Sequence, residues 1–180
     1  TLFECLTACY ILAASQRKYL DYNLVEAGLF FSKDSTRIWH KPRAALITNI
    51  NKQHLEWLKT KTITQVCEEK LSKISQNTVI YISKQDPKTL KIIKKILKKN
   101  KSKKIYSSNW RIFKKNNLYF YKDKENLIPM KTKKIYSEGL INNLGMAIKV
   151  ALDLGVKKRN IINSIPKIIF EGRLQYLKSG

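Results

Sequence analysis

The sequence predicts an α/β protein built on a mostly parallel, doubly wound sheet, with a small antiparallel β subdomain attached. Three observations carry this. Near-continuous apolar runs such as Ala44-Ala-Leu-Ile-Thr-Asn-Ile50 and Thr78-Val-Ile-Tyr-Ile-Ser83 have the pattern of strands buried on both faces. Between them lie stretches with helical apolar spacing and clear start signals. Residues 109–135 instead set short aromatic runs between Lys/Asn turns, the pattern of an antiparallel meander.

The elements follow in order. Residues 1–14 are mostly apolar, lack Gly and Pro, and exceed an ordinary strand, so they are expected to be helical. Thr1 with Glu4 three residues on makes a capping-box pattern at the start. Strands are expected at 22–26, ending in Glu26, and at 44–50. A helix over 62–74 leads to a strand at 78–83. Asp86-Pro87 starts the next helix, with an acid at the N-cap and Pro at the first helical position. That helix carries Leu90, Ile93 and Leu97 on one stripe and Lys91, Lys94, Lys95 and Lys98 mostly elsewhere, which reads as a sheet-covering helix with a wet lysine face. A basic amphipathic helix lying on a membrane is the alternative. Residues 104–106 read as a fourth parallel strand.

Trp110-Arg-Ile-Phe, Leu118-Tyr-Phe-Tyr and Leu127-Ile-Pro-Met form the meander. Its aromatics are expected on a packed sheet face, with a base-stacking platform as the alternative. A helix over 140–154 is stopped by Gly155, and a short one over 157–165 is broken by Pro166. In doubly wound sheets ligands gather beyond the carboxyl ends of the strands, which places Glu26 and His54 on the functional edge.

Composition narrows the class. At 180 residues and 43% hydrophobic, the chain has enough apolar material for a core and is not disordered. Its 36 Lys+Arg against 13 Asp+Glu give 36 − 13 = +23. Only six of the 36 are Arg, whereas specific nucleic-acid readers lean on the guanidinium fork. The lysines, with abundant Ile and Asn, therefore read as a solvated surface from an A/T-rich genome. A dedicated nucleic-acid surface and steering of anionic substrates are the alternatives. Three Cys without a C-x-x-C pair exclude a disulfide framework or zinc ribbon and suit a reducing cytosol. Cys5 and Cys9 are expected as small core residues, Cys67 as packing, and His40 as exposed. The longest uncharged apolar run, residues 6–14, is far short of the roughly 20 needed to span a bilayer. A chain that opens at Thr1 and closes on Lys178-Ser179-Gly180 is expected to be cut from something longer.

Taken together, the order and spacing of the polar residues resemble the ATP-binding central domain of the folylpolyglutamate synthase/dihydrofolate synthase family, a branch of the Mur ligases. The family's T-x-F-E helix start is matched by Thr1, Phe3 and Glu4. Its E-V-G-L-G-G-R-L-D-A-T-N segment falls on residues 26–37, its T-S-I-G-x-D-H-x-E-x-L-G on 48–59, and its I-A-x-E-K-A-G-I on 66–73. An Asn before small apolar helix residues is similar to Asn143, and the closing P-G-R to Glu171-Gly172-Arg173.

The resemblance implies an ATP-dependent amide ligase of folate biosynthesis. Such an enzyme phosphorylates a carboxylate of dihydropteroate or folate polyglutamate, and L-glutamate then attacks the acyl phosphate. It also implies ATP and Mg²⁺ as cofactors, with Glu26 and His54 as Mg²⁺ ligands and His54 and Lys70 as catalytic residues. Lys70 matches a lysine the family carbamylates. Asn143 would lie near the adenine, Arg173 would reach the phosphates, and Asp34 and Thr36 would border the pterin-side substrate. Residues 1–173 would be the central domain and 174–180 the start of a linker. A cytoplasmic monomer is expected, with no specific nucleic acid and no membrane partner.

The chain departs from the family pattern in three places. Gly-Gly-Arg is replaced by Phe30-Phe31-Ser32, the Asp before the His is Gln53, and a Gly is Lys59. No G-x-x-G-K-[ST] loop occurs in the 180 residues, and by the resemblance it is expected upstream of Thr1. Two alternatives stand beside the ligase: a diverged, inactive member of the same family, and a Lys-rich nucleic-acid-binding module.

Overall fold

The computed structural model describes residues 1–132 and 137–169. Eleven named elements run in the order α1 (Leu2–Ser15), β1 (Ala44–Ile47), α2 (Ile63–Leu71), β2 (Val79–Ile82), α3 (Pro87–Ile96), β3 (Lys103–Tyr106), β4 (Arg111–Lys115), β5 (Leu118–Lys122), β6 (Leu127–Met130), α4 (Glu138–Asp153) and α5 (Lys158–Ser164), with short 3₁₀ turns between. Strands β1, β2 and β3 make a parallel sheet in that order, and β4, β5 and β6 make a separate antiparallel one. The chain divides into two compact units, residues 1–45, 50–78 and 86–103, and residues 46–49, 79–85 and 104–180.

In the first unit, α1 is held by the Thr1/Glu4 capping box, and its Thr7 Oγ1 is in hydrogen-bond contact with Ser35 Oγ at 2.8 Å. Helices α2 and α3 pack on each other, bringing Val66, Cys67 and Leu71 together with Ile93 and Leu97 in the core. Both start as the sequence indicates. The Thr62 hydroxyl accepts from Gln65 N, and the Asp86 carboxylate accepts from Lys88 N and Thr89 N at 2.9 and 3.3 Å. The buried Asn100 donates to Ile74 O and accepts from Ser102 N, so its amide is satisfied inside the core.

In the second unit, Ile80, Tyr81 and Ile82 are buried in succession, so β2 is covered on both faces. Register pairs Ile112 with Tyr121 and Tyr121 with Ile128, which sets those residues on the face of the antiparallel sheet that meets α4 and α5. Gly145 in α4 is where the Ile112 side chain packs onto the helix: a Cβ there would stand 2.3 Å from Ile112 Cδ1. Tyr81 donates to Asp153 Oδ2 at 2.9 Å and Lys149 to Asp153 Oδ1 at 2.6 Å, so this carboxylate near the end of α4 is fully engaged. Helix α4 ends in a Schellman arrangement, with Gly155 at φ +86° and Val156 N donating to Ala151 O.

Several expectations change. Residues 22–26 form no strand. A strand needs a ladder partner, and this segment takes no part in either sheet, with Leu24 92% exposed. Among the described residues the parallel sheet therefore has three strands rather than four, with β1 at its edge. Cys5 and Cys9 are exposed rather than in the core, because Thr7 is the one buried residue of α1 among those described; Cys67 is buried, as expected. The meander aromatics divide between two faces. Tyr121 is fully buried and Trp110 nearly so, while Phe113 and Phe120 pair on the opposite face. The Glu171-Gly172-Arg173 match and the 174–180 linker lie outside the described residues.

Candidate functional site

Two of the residues singled out by the sequence, Lys70 and His54, lie against one side chain, Phe30. Lys70 sits at the end of α2, half-buried, and its Nζ donates to the carbonyl of Leu29 at 3.1 Å. The same ammonium lies 5.7 Å from the centre of the Phe30 ring. His54 packs its imidazole edge-on against that ring, with centroids 6.4 Å apart and planes at 87°. Lys70 and His54, from separate segments, therefore share Phe30 as a neighbour. Burial pushes the Lys70 pKa below its ordinary value, because removal from water disfavours the cation.

Backbone strain supports the placement of His54. It adopts φ +57°, a conformation side chains rarely take, immediately before the 3₁₀ turn at Leu55–Trp57. Its Nδ1 stands 3.8 Å from Glu56 Oε1, an exposed pair of little energetic weight.

The loop below is tied by one carboxylate. Asp34 Oδ2 accepts from Gly28 N at 2.9 Å, and Oδ1 accepts from Thr36 N at 2.8 Å and from the Thr36 hydroxyl. Asp34 and Thr36 thus shape the loop themselves. A Cβ on Gly28 would stand 3.4 Å from Asp34 Oδ2 and 3.6 Å from the Phe3 ring, ordinary contact distances, so the loop packs closely there without demanding a glycine. Next to it, the Ser32 hydroxyl donates to Glu69 Oε2, and Arg37 Nη1 donates to Ser32 O at 2.8 Å.

Glu26 lies exposed in the irregular segment before Gly28, and among the described residues its carboxylate has no hydrogen bond or ion pair. No group of three or more His, Cys, Asp or Glu gathers as a metal cage among the described residues. A carboxylate such as that of Glu26 is a donor type that suits Mg²⁺, which keeps waters and takes phosphate oxygens for most of its shell. Asn143 lies half-buried in α4, in the second unit. Arg173 lies outside the described residues. Sequence reasoning missed three participants: the Leu29 carbonyl, the Glu69 carboxylate, and Phe30 as the shared wall. The available signal was Phe30 itself, a bulky ring at a family glycine.

Comparisons with known proteins follow the same lines. A family model described as the Mur ligase middle domain matches residues 3–151. Among solved structures, the apo form of L. casei FPGS aligns with TM-score 0.83 at 18% identity over 99% of this chain and 46% of that one. The folylpolyglutamate synthase from Thermotoga maritima aligns with TM-score 0.82 at 21% identity over 99% and 42%. The Mycobacterium tuberculosis folylpolyglutamate synthase complexed with ADP and AMPPCP aligns with TM-score 0.81 at 18% identity over 96% and 41%. The chain thus spans less than half the length of these structures. No curated protein matches it in sequence. Among the described residues no helix is long and apolar enough to cross a membrane.

Proposed function

The chain belongs to the Mur ligase middle domain family, and on that footing we propose that it is the central part of an ATP-dependent ligase adding L-glutamate to dihydropteroate or folyl-(poly)glutamate. The observation that carries the reading is the family match over residues 3–151. It is supported by neighbours of the same fold, which include an FPGS–AMPPCP–folate complex and E. coli FolC in complex with DHPP and ADP. The working location in this proposal is the cytoplasm.

In the reaction, a substrate carboxylate oxygen attacks the γ-phosphorus of ATP and the bond to the ADP oxygen breaks. The amine of glutamate then attacks the acyl carbon, and the tetrahedral intermediate expels phosphate carrying one former carboxylate oxygen. Two demands dominate: neutralising the transferring phosphoryl and holding two anions in line. Glu26 and His54 would hold Mg²⁺, which when bound supplies charge neutralisation at the phosphoryl group. Lys70, anchored on the Leu29 carbonyl, supplies a fixed charge-bearing group beside His54. Asp34 and Thr36 brace the loop on the pterin side. Asn143 would take the adenine and Arg173 the phosphates.

The test is isotopic. Full-length protein given ATP, L-glutamate and dihydropteroate labelled with ¹⁸O in its carboxylate is expected to yield the glutamylated product and phosphate bearing a single ¹⁸O. Product without label in phosphate removes the acyl phosphate. A second reading, a diverged member without ligase activity, is favoured by the Phe30 ring standing against both Lys70 and His54. Absence of product from dihydropteroate and from folyl substrates decides for it.

A further inference from the structure

We propose that the outer face of the β4–β6 sheet binds single-stranded nucleic acid without base specificity. The face is defined by register. Arg111 lies opposite Lys122, Phe113 opposite Phe120, and Lys115 opposite Leu118, all pointing away from the Ile112–Tyr121–Ile128 side that α4 and α5 cover. A solvent-facing sheet surface is ordinarily polar, with alternate residues turned to water. This one instead carries two half-buried aromatic rings at its centre, with Pro129 beside Phe120.

Phe113 and Phe120 stack at 5.5 Å with planes 16° apart, and the Arg111 guanidinium lies 5.4 Å from the Phe113 centroid. Rings held parallel by direct cross-strand pairing, extended by a planar cation, form a preorganised surface for further planar groups. Every nucleobase has such a face, so stacking tolerates any sequence.

Charge complementarity selects the occupant. Arg111, Lys115 and Lys122 are exposed at the margins of this face, and no residue of the three strands is acidic. A polyanion whose charges flank flat apolar groups fits that layout. An acidic peptide supplies the charge but leaves the stacked rings without a partner. The loop carboxylate of Asp123 does not oppose this, since it is turned to Tyr121 and to its own turn. The geometry also excludes two rings that the sequence nominates for stacking. Trp110 is buried close to Gly145, and Tyr119 shares the inner register with Met130.

The experiment is fluorescence anisotropy of the full chain with a labelled ten-nucleotide oligothymidylate at about 0.1 M salt. Phe113→Leu/Phe120→Leu keeps both positions apolar and, checked by circular dichroism, the fold, but removes the stacking faces. It is expected to weaken binding about tenfold or more. Lys115→Gln/Lys122→Gln is expected to flatten the salt dependence by about 1.4 in log–log slope, roughly 0.7 for each phosphate contact on a single strand. Lys88→Gln/Lys91→Gln, on α3, is expected to leave both nearly unchanged. The proposal is overturned if the leucine variant binds like the parent, if a polyglutamate peptide competes as well as unlabelled oligonucleotide, or if no binding appears.

Discussion

The Lys70 ammonium donates to the Leu29 carbonyl at 3.1 Å, tying the end of α2 to the turn that follows Gly28. This bond makes the candidate site a property of two distant segments, and it sets the pH behaviour of the group. Because burial lowers the Lys70 pKa from 10.5, the folded state holds fewer protons than the unfolded chain between the folded value and 10.5. The stability contributed by this group therefore rises with pH across that window, and the burden of the buried cation is complete below it. Relative to Lys70→Met, the parent is expected to gain stability between pH 7 and pH 10.5. Urea denaturation of both proteins measures it, and a gap moving the other way contradicts the assignment.

Phe30→Gly restores the family residue and removes the wall shared by Lys70 and His54. Loss of a half-buried ring and its edge-on contact is expected to cost about 1–2 kcal/mol. The Lys70 amine, better hydrated, should titrate closer to its ordinary value, read from the pH dependence of its ¹³Cε resonance. An unchanged titration would show that Phe30 does not contribute to the burial of Lys70.

The three thiols are expected to separate cleanly. Cys5 and Cys9 are exposed, whereas Cys67 is buried and its thiol is pushed up to about 11 by desolvation, with Glu68 adding to the effect. At pH 8 an aromatic disulfide reagent should release chromophore for two thiols rapidly, and for the third only when denaturant is added. Three fast equivalents in the native protein would place Cys67 elsewhere.

Gly145→Ala tests the contact between α4 and β4. The new Cβ would meet Ile112 Cδ1 at 2.3 Å and Cγ1 at 3.0 Å, an overpacking cost of about 1–3 kcal/mol that exceeds the roughly 1 kcal/mol gained in helix propensity. In an Ile112→Val background, which lacks Cδ1, the same substitution is expected to become neutral or stabilising. Thermal melts of the four-member cycle report the coupling, and simple additivity would show that the two residues do not meet.

Helix starts were readable in the sequence because they are local. Thr1 with Glu4 and Asp86 before Pro87 each satisfy orphan amides within one turn of chain, so no distant residue was needed. Strands β1 and β2 were readable from apolar runs, although β1 proves only part-buried with Leu46 exposed, and the three meander strands were readable from their turns. The family was readable from collinear polar segments, and the match over residues 3–151 agrees with it.

Only tertiary structure decided the rest. Residues 22–26 have strand-like composition, but a strand exists only where another offers its amides and carbonyls. Cys5 and Cys9 have core-like chemistry, yet burial requires an opposing surface. That Phe30 stands between Lys70 and His54, and that Phe113 faces outward while Trp110 faces in, follows from chain segments meeting across many residues, which no local pattern encodes. Sequence by itself determined most of the elements, the charge and the family. Long-range packing determined which side chains share an environment, because burial, ring contact and pKa depend on neighbours that sequence spacing does not specify.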